Sequence, residues 1–219
     1  IARDELRARV APFILRRLKS QVATDLPPRT DVTVWCELAP AQRRAYDALL
    51  AAQRQRVAAA VAERGVAASS ITILDALTRL RQACCHPALL KTPETLHLPS
   101  GKLEAAMELI DELIGGGHRA LVFSQFTSML AILREALDAR GIAYAYLDGA
   151  TRDRQKRVDA FNQGDAPLFL ISLKAGGTGL NLTAADTVIH YDPWWNPAVE
   201  DQASARAHRT GHTKSVFVY

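Results

Sequence analysis

The chain has 219 residues, 48% of them apolar, with 27 Lys and Arg against 23 Asp and Glu and a formal net charge of +4. This is the composition of an ordinary globular protein, large enough for one domain or one domain with an insertion. The mild basic excess permits a polyanionic partner without establishing one, and no apolar run or leader signals a membrane. Cys36, Cys84 and Cys85 are odd in number and two are adjacent, which suggests no disulfide framework and points to a reducing compartment.

The opening "IARDELRARV" reads as the interior of a helix and the closing "SVFVY" as the interior of a strand, so a segment of a longer polypeptide is expected. "TDVTVWCEL" alternates and is β-branched, which predicts a strand. In "APAQRRAYDALLAAQRQRVAAAVAERG", Pro40 suits the first turn of a helix. Tyr46, Leu49, Leu50, Val57 and Val61 recur at helical spacing, and Gly65 can end it. A second helix is expected from Ile71 to Cys85, stopped by Pro87, and "KTPETLHLPSG" is a loop.

From Gly101 the rhythm becomes helix, strand, helix, strand. "KLEAAMELIDELI" is amphipathic and "GGG" ends it; "RALVFS" is a short apolar strand. Thr127 can cap the next helix, "IAYAYL" is a strand, and Thr151 can cap "RDRQKRVDAFNQG". "PLFLIS", "TVIHY" and "SVFVY" are further strands, and Asn196 with Pro197 starts a helix expected to reach about Arg209. Short apolar strands separated by helices imply parallel crossovers in a sheet covered on both faces, an α/β fold. Ligands on such sheets gather at the carboxyl ends of strands. Ser124-Gln125, Asp148-Gly149, the glycine loop and Asp192–Asn196 all fall there.

The glycine loop reads "SLKAGGTGLNL". A Walker A loop needs G-x-x-x-x-G-K-[ST], and here Gly179 is followed by Leu180 while Lys174 lies before the glycines; "GGTG" also fails the dinucleotide pattern. What remains is a strand-end loop whose backbone N–H groups, Thr178 hydroxyl and Lys174 cation suit a phosphate backbone. A tight turn that needs glycine only for its dihedrals is the equal alternative. In "NPAVEDQASARAHRTGH", Gln202, Arg206 and Arg209 are spaced i, i+4, i+7 and on one helix would form a polar stripe, with Val199, Ala203 and Ala207 packing inward. Two guanidiniums a turn apart can converge on a phosphate and stabilise charge in a phosphoryl transfer; a solvated surface face is the bland alternative.

"FILRRLKSQVATDLPPRT", "LRQACCHPALL", "SGKLEAAMELIDEL", "LVFSQFTSML", "YLDGAT", "LISLKAGGTGLNLTAADTVIHYDPWWNP" and "DQASARAHRTGH" occur in that order. Together they resemble the second RecA-like lobe of SWI/SNF-family ATPases, which are superfamily 2 helicase-like DNA translocases. The resemblance implies a RecA-like three-layer α/β fold with a mostly parallel sheet. It divides the chain into an inter-lobe linker and lead-in strand (1–39), a helical insertion (40–100) and the helicase C-terminal lobe (101–219), truncated at its end. ATP would sit between this lobe and a first lobe of the same polypeptide that carries the Walker A loop and the Mg2+-binding acidic motif. Gln202, Arg206, Arg209 and Gly179 match nucleotide-facing positions, with Arg206 and Arg209 as arginine fingers. Ser124, Gln125, Lys174, Gly176, Gly177, Thr178 and Trp195 match segments that track along double-stranded DNA. A DNA-bound protein is a possible target of the motor.

The family usually has glutamine where this chain has His212, which creates His208 and His212 at a zinc-like i, i+4 spacing. No third ligand is near and Gly211 separates them, so no metal site is assigned. "CCH" at 84–86 lacks a C-x-x-C partner and reads as buried packing. A lone lobe lacking the phosphate loop is expected to be inactive. Its setting is expected to be a bacterial cytoplasm, or a nucleus if the source is eukaryotic. The rival readings are a dehydrogenase, which lacks its fingerprint here, a non-catalytic interaction module on a RecA-like scaffold, and an RNA-directed lobe.

Overall fold

The computed structural model describes residues 3–14, 26–175, 179–208 and 214–219. Among these, the strands are β1 (Arg29–Asp31), β2 (Ala120–Ser124), β3 (Tyr144–Leu147), β4 (Leu168–Ser172), β5 (Thr187–His190) and β6 (Val216–Val218). They form one sheet in the order β1-β6-β5-β2-β4-β3, and every pairing is parallel. β2 and β4 lie inside the sheet and are buried at every position. This is why "ALVFS" and "LFLIS" read as unbroken apolar runs: parallel strands covered on both faces have no polar side to alternate with.

Leu121, Phe123, Phe169, Ile171 and Val188 point to one face and pack with Val158 and Phe161 of α6 (Arg154–Gln163), and with Ala203 of α7 (Pro197–Ser204). Ala120, Val122, Leu168, Leu170 and Ile189 point to the other. They meet Met107, Ile110 and Leu113 of α4 (Gly101–Gly115) and Met129, Leu130, Leu133 and Leu137 of α5 (Thr127–Ala139). Helix, sheet and helix form three layers, as expected for a RecA-like lobe. The chain crosses from β2 over β4 to β3, then from β4 back over β2 to β5, so strand order reverses around β2. The carboxyl ends of β2, β4 and β5 therefore lie side by side and mark the candidate crevice, the place where such sheets bind ligands.

Beyond the sheet, α1 (Arg3–Val10) lies near the start of the chain. Ahead of α4, α2 (Pro40–Ala68) and α3 (Ser70–Cys85) form an antiparallel hairpin. Its pairing runs from Gln42 with Ala83, through Arg56 with Asp75, to Ser69 with Ala60. Gly65, at φ 74° and ψ 168°, breaks the helical path where the sequence placed the end of the first helix. Gln42 is fully buried and clips three chain segments together. Its Nε2 donates to the Ala83 carbonyl at 2.8 Å, and its Oε1 accepts from Ala39 N at 3.3 Å and Gly101 N at 3.2 Å. Ser100 adds a second tie, donating to the Cys85 carbonyl and accepting from Leu103 N. Gln42→Ala strands these buried backbone groups and is expected to cost about 2 kcal/mol. Urea unfolding of the variant beside wild type measures the loss, and an unchanged midpoint would contradict the clip.

Four local expectations are corrected. The strand predicted over "TDVTVWCEL" stops at Asp31. Val32 N still bonds the Val218 carbonyl at 2.7 Å, but the chain then leaves the sheet edge and Trp35 is 91% exposed. Alternation is there in the sequence; among the described residues the pairing with β6 ends at Asp31 and Val218. Thr127 is the first residue of α5 and not its cap, since Phe126 holds the cap position without a side-chain bond. Thr151 does not cap α6. Its hydroxyl donates to Asp148 Oδ1 and accepts from Asp148 N, both at 3.0 Å, and the helix starts at Arg154. A closer turn carboxylate captured the hydroxyl that the sequence assigned to the helix. The last helix ends at Ser204, well short of Arg209, with consequences for the site below.

Candidate nucleic-acid and nucleotide interface

The segments that leave β2, β4 and β5 start side by side. Backbone bonds extend the sheet into them: Leu173 N donates to Ser124 O at 2.8 Å, and Tyr191 N to Phe123 O at 3.0 Å. Asp192 then ties the loop after β2 to the loop after β5. The Ser124 hydroxyl donates to its Oδ1, and Gln125 N donates to its Oδ2 at 3.1 Å. Phe126 N donates back to Ser124 Oγ at 3.1 Å. Ser124, a candidate DNA contact from sequence, is buried and its hydroxyl is committed inside the lobe, so it braces the loop from within. Burial pushes the Asp192 carboxyl up from 3.8 to about 6, while the Ser124 hydroxyl, the Gln125 N–H, Arg81 and Lys102 pull it back toward the charged form.

Arg81 reaches this loop pair from α3, and the sequence reading did not single it out. Its Nη1 donates to Gln125 Oε1 at 3.1 Å and its Nη2 donates to the Pro193 carbonyl. Its guanidinium carbon lies 4.9 Å from the Trp195 ring centre, 5.5 Å from Trp194 and 5.9 Å from Phe126, within cation–π range of all three. A guanidinium has only donors, so Gln125 must turn its amide oxygen toward Arg81 and its Nε2 away. Lys102 Nζ donates to the Tyr191 carbonyl at 3.2 Å, and Tyr191 OH donates to the Cys85 carbonyl at 2.9 Å. The α2–α3 hairpin and the loop after β5 are therefore joined by polar contacts as well as by packing.

The other DNA-side candidates are on the surface where described. Lys174 is exposed and follows the buried Leu173 at the end of β4. Trp195 is 59% exposed just before Asn196, whose Oδ1 accepts from Ala198 N at 3.1 Å and caps α7, as predicted. Gly176, Gly177 and Thr178 lie outside the described residues. Gly179 is exposed at φ 45°, a left-handed conformation that favours glycine, and a Cβ there would meet nothing. Its glycine is thus explained by dihedrals.

On the nucleotide side the predicted stripe is corrected. Gln202 is exposed on α7, but Arg206 follows the helix end in a turn and is 5% exposed. The turn tightens through Arg206 N to Ala203 O at 3.1 Å and Ala207 N to Ser204 O at 3.2 Å. Ser204 Oγ lies 2.8 Å from His190 Nε2, and Ala203 and Ala207 are both buried in the core. These anchors turn the chain inward, so helical spacing does not carry Gln202 and Arg206 onto one exposed face. Leu182 N donates to the Arg206 carbonyl at 3.2 Å, tying this turn to the segment after the glycine loop. Arg209 and His212 lie outside the described residues.

His208 Nε2 donates to the Pro27 carbonyl at 2.7 Å. Cys85 is 2% exposed and burial pushes its thiol up to about 12, so it is a protonated core residue at neutral pH. Among the described residues, no three His, Cys, Asp or Glu side chains are grouped to hold a metal ion, and no helix is long and apolar enough to cross a membrane.

Residues 101–211 match the helicase conserved C-terminal domain, and residues 2–89 match the SNF2-related domain. The chain belongs to the SWI/SNF family of helicase-like proteins.

This SWI/SNF-family lobe is 41% identical over 225 residues to mouse chromodomain-helicase-DNA-binding protein 1-like, covering 98% of this chain and 24% of that protein. It spans about a fifth to a quarter of the length of the first curated relatives it matches. Its fold matches the crystal structure of the C-terminal part of the Fun30 ATPase domain at TM-score 0.74 and 26% identity, covering 88% of this chain and 84% of that one. It also matches the Sulfolobus solfataricus SWI2/SNF2 ATPase core in complex with double-stranded DNA at TM-score 0.72 and 32% identity, covering 99% of this chain and 46% of that one. In a SWI/SNF-family lobe, the crevice at the ends of β2, β4 and β5 is the surface on which sequence placed its DNA-side candidates.

Proposed function

We propose that this chain is the second motor lobe of an ATP-dependent double-stranded DNA translocase that remodels or displaces DNA-bound proteins. The observation that carries this reading is that Arg81 gathers Gln125 and Trp195 in a SWI/SNF-family lobe, with the exposed Lys174 following Leu173, whose N–H bonds the Ser124 carbonyl. Lys174 offers a cation to phosphate, and Trp195 offers an aromatic face beside the backbone. Gly176, Gly177 and Thr178 belong to the same proposed surface. Residues 1–39 would be the inter-lobe linker with its lead-in strand, 40–100 the helical insertion and 101–219 the lobe proper. The likeness to a SWI2/SNF2 core in complex with double-stranded DNA supports the choice of duplex over RNA.

ATP is the substrate and lies between two lobes in this proposal. The first lobe of the same polypeptide holds Mg2+, which neutralises phosphate charge when bound. This lobe faces the nucleotide with Gln202, Gly179, Arg206 and Arg209, the last two as arginine fingers. The isolated lobe then lacks half of the site and turns over no ATP. The expected setting is wherever the cell keeps its DNA, a bacterial nucleoid or a eukaryotic nucleus.

The test is ATPase activity of the full-length protein with and without duplex DNA, across a salt series. Contacts to about three phosphates lower DNA affinity about 40-fold between about 50 and about 200 mM salt. Stimulation by RNA and not by duplex DNA would favour an RNA-directed lobe. No nucleotide turnover in the full-length protein would favour an interaction module.

A further inference from the structure

The contacts of Arg81 exceed what holding a helix to a core requires. The side chain is 21% exposed. It meets the loop after β2 at Gln125, 44 positions away, and the loop after β5 at Pro193, 112 positions away. It also stands 4.0 Å from Asp192 Oδ2, the carboxylate that joins those two loops. One planar cation therefore orients the amide of Gln125, anchors the backbone before Trp194 and lies against the ring of Trp195 at 4.9 Å. Both side chains it orients are candidates for the DNA face, and the helix that carries it belongs to the insertion.

We infer that Arg81 is a positioning residue: resting on the DNA-motor reading above, it locks the helical insertion, the Gln125 loop and the Trp195 loop into one unit that meets the DNA backbone together. The chemistry of the guanidinium makes this specific. Its planar fork can bond two acceptors while its face covers an indole, whereas lysine offers a point charge on a flexible stem and cannot do all three. Loss of the fork frees Gln125 and Trp195 to sample other orientations, and ordering them on DNA then costs affinity.

The experiment uses the full-length protein and a double-stranded DNA titration of its ATPase. Arg81→Met keeps the apolar length and removes the fork. It is expected to raise the half-saturating DNA concentration about tenfold, with the maximal rate within about twofold of wild type. Arg81→Lys is expected to fall between wild type and Arg81→Met. Tryptophan emission of Arg81→Met is expected to shift and to become easier to quench as the ring loses its cation. If Arg81→Met fails to fold, Arg81→Gln carries the same titration. A variant less stable to heat but with unchanged half-saturation overturns the inference and leaves Arg81 as a packing residue. A wild-type protein that no duplex DNA stimulates overturns the motor reading itself, and the inference with it.

Discussion

Full-length protein carrying Arg206→Ala is expected to hydrolyse ATP about 10³-fold more slowly than wild type at saturating ATP and DNA, the usual worth of an arginine finger. Phosphoryl transfer leaves little covalent work to the protein, so the rate depends on charge placed against the equatorial oxygens in the transition state. A group acting only there lowers kcat and kcat/KM together, with ATP binding little changed. Arg209→Ala is expected to behave alike. In the lobe as folded, Arg206 is 5% exposed, so meeting a phosphate held by another lobe requires its side chain to move from that position. Burial also means that truncation will disturb packing. Arg206→Lys keeps most of the stem and the charge but not the fork. It is therefore expected to restore thermal stability without restoring turnover. If both alanine variants hydrolyse ATP at the wild-type rate, Arg206 and Arg209 are structural and the catalytic cation must be sought elsewhere.

The second large effect concerns stability and pH. The buried Asp192 carboxyl titrates near 6 in the folded lobe, against 3.8 when unperturbed. Below the lower value, the carboxyl is protonated in both states and contributes nothing to the difference. Between the two values the unfolded chain has released the proton while the folded lobe retains it. Stability from this group therefore falls as pH rises through that window, and the full penalty, at most about 3 kcal/mol, is present at pH 7. Asp192→Asn cannot ionise and escapes the penalty. It also gives up one of two acceptors, because its amide nitrogen must face either the Ser124 hydroxyl or the Gln125 N–H. Urea unfolding of the lobe, wild type beside Asp192→Asn, is expected to show wild type gaining on the variant by about 2 kcal/mol between pH 7 and pH 4. A difference that stays constant over that range would mean the carboxyl is not desolvated. The penalty is tolerated because the charged form fastens two crevice loops, through Ser124 and Gln125, beside the cation of Arg81.

Much of the architecture was legible because its causes are local. The apolar runs ending at Ser124 and Ser172 are strands that can exist only inside a parallel sheet, and both are interior. Asn196 before Pro197 specifies a helix start through a bond that spans two residues. Gly65 breaks its helix because its backbone adopts a positive φ. Wherever competing partners existed, locality failed. Thr151 had both a helix and Asp148 within reach, and the carboxylate took it. Arg206 kept helical spacing from Gln202 in the sequence, but the Ser204–His190 contact and the burial of Ala207 turned the chain before spacing could act.

By itself, then, the sequence determined a parallel α/β lobe of the SWI/SNF family, with strand-end loops as its candidate working surface, since burial pattern, caps and glycine conformations are written within a few residues of where they act. Only the tertiary structure decided which groups in those loops face outward and what holds them. It turned Ser124 inward and drew Arg206 into the core. It also brought Arg81 from a distant helix onto Gln125 and Trp195. The placing of Ser124 and Arg81 depends on contacts across 44 to 112 positions and that of Arg206 on one across 14, where the energy belongs to the packed arrangement and no short stretch of chain records it.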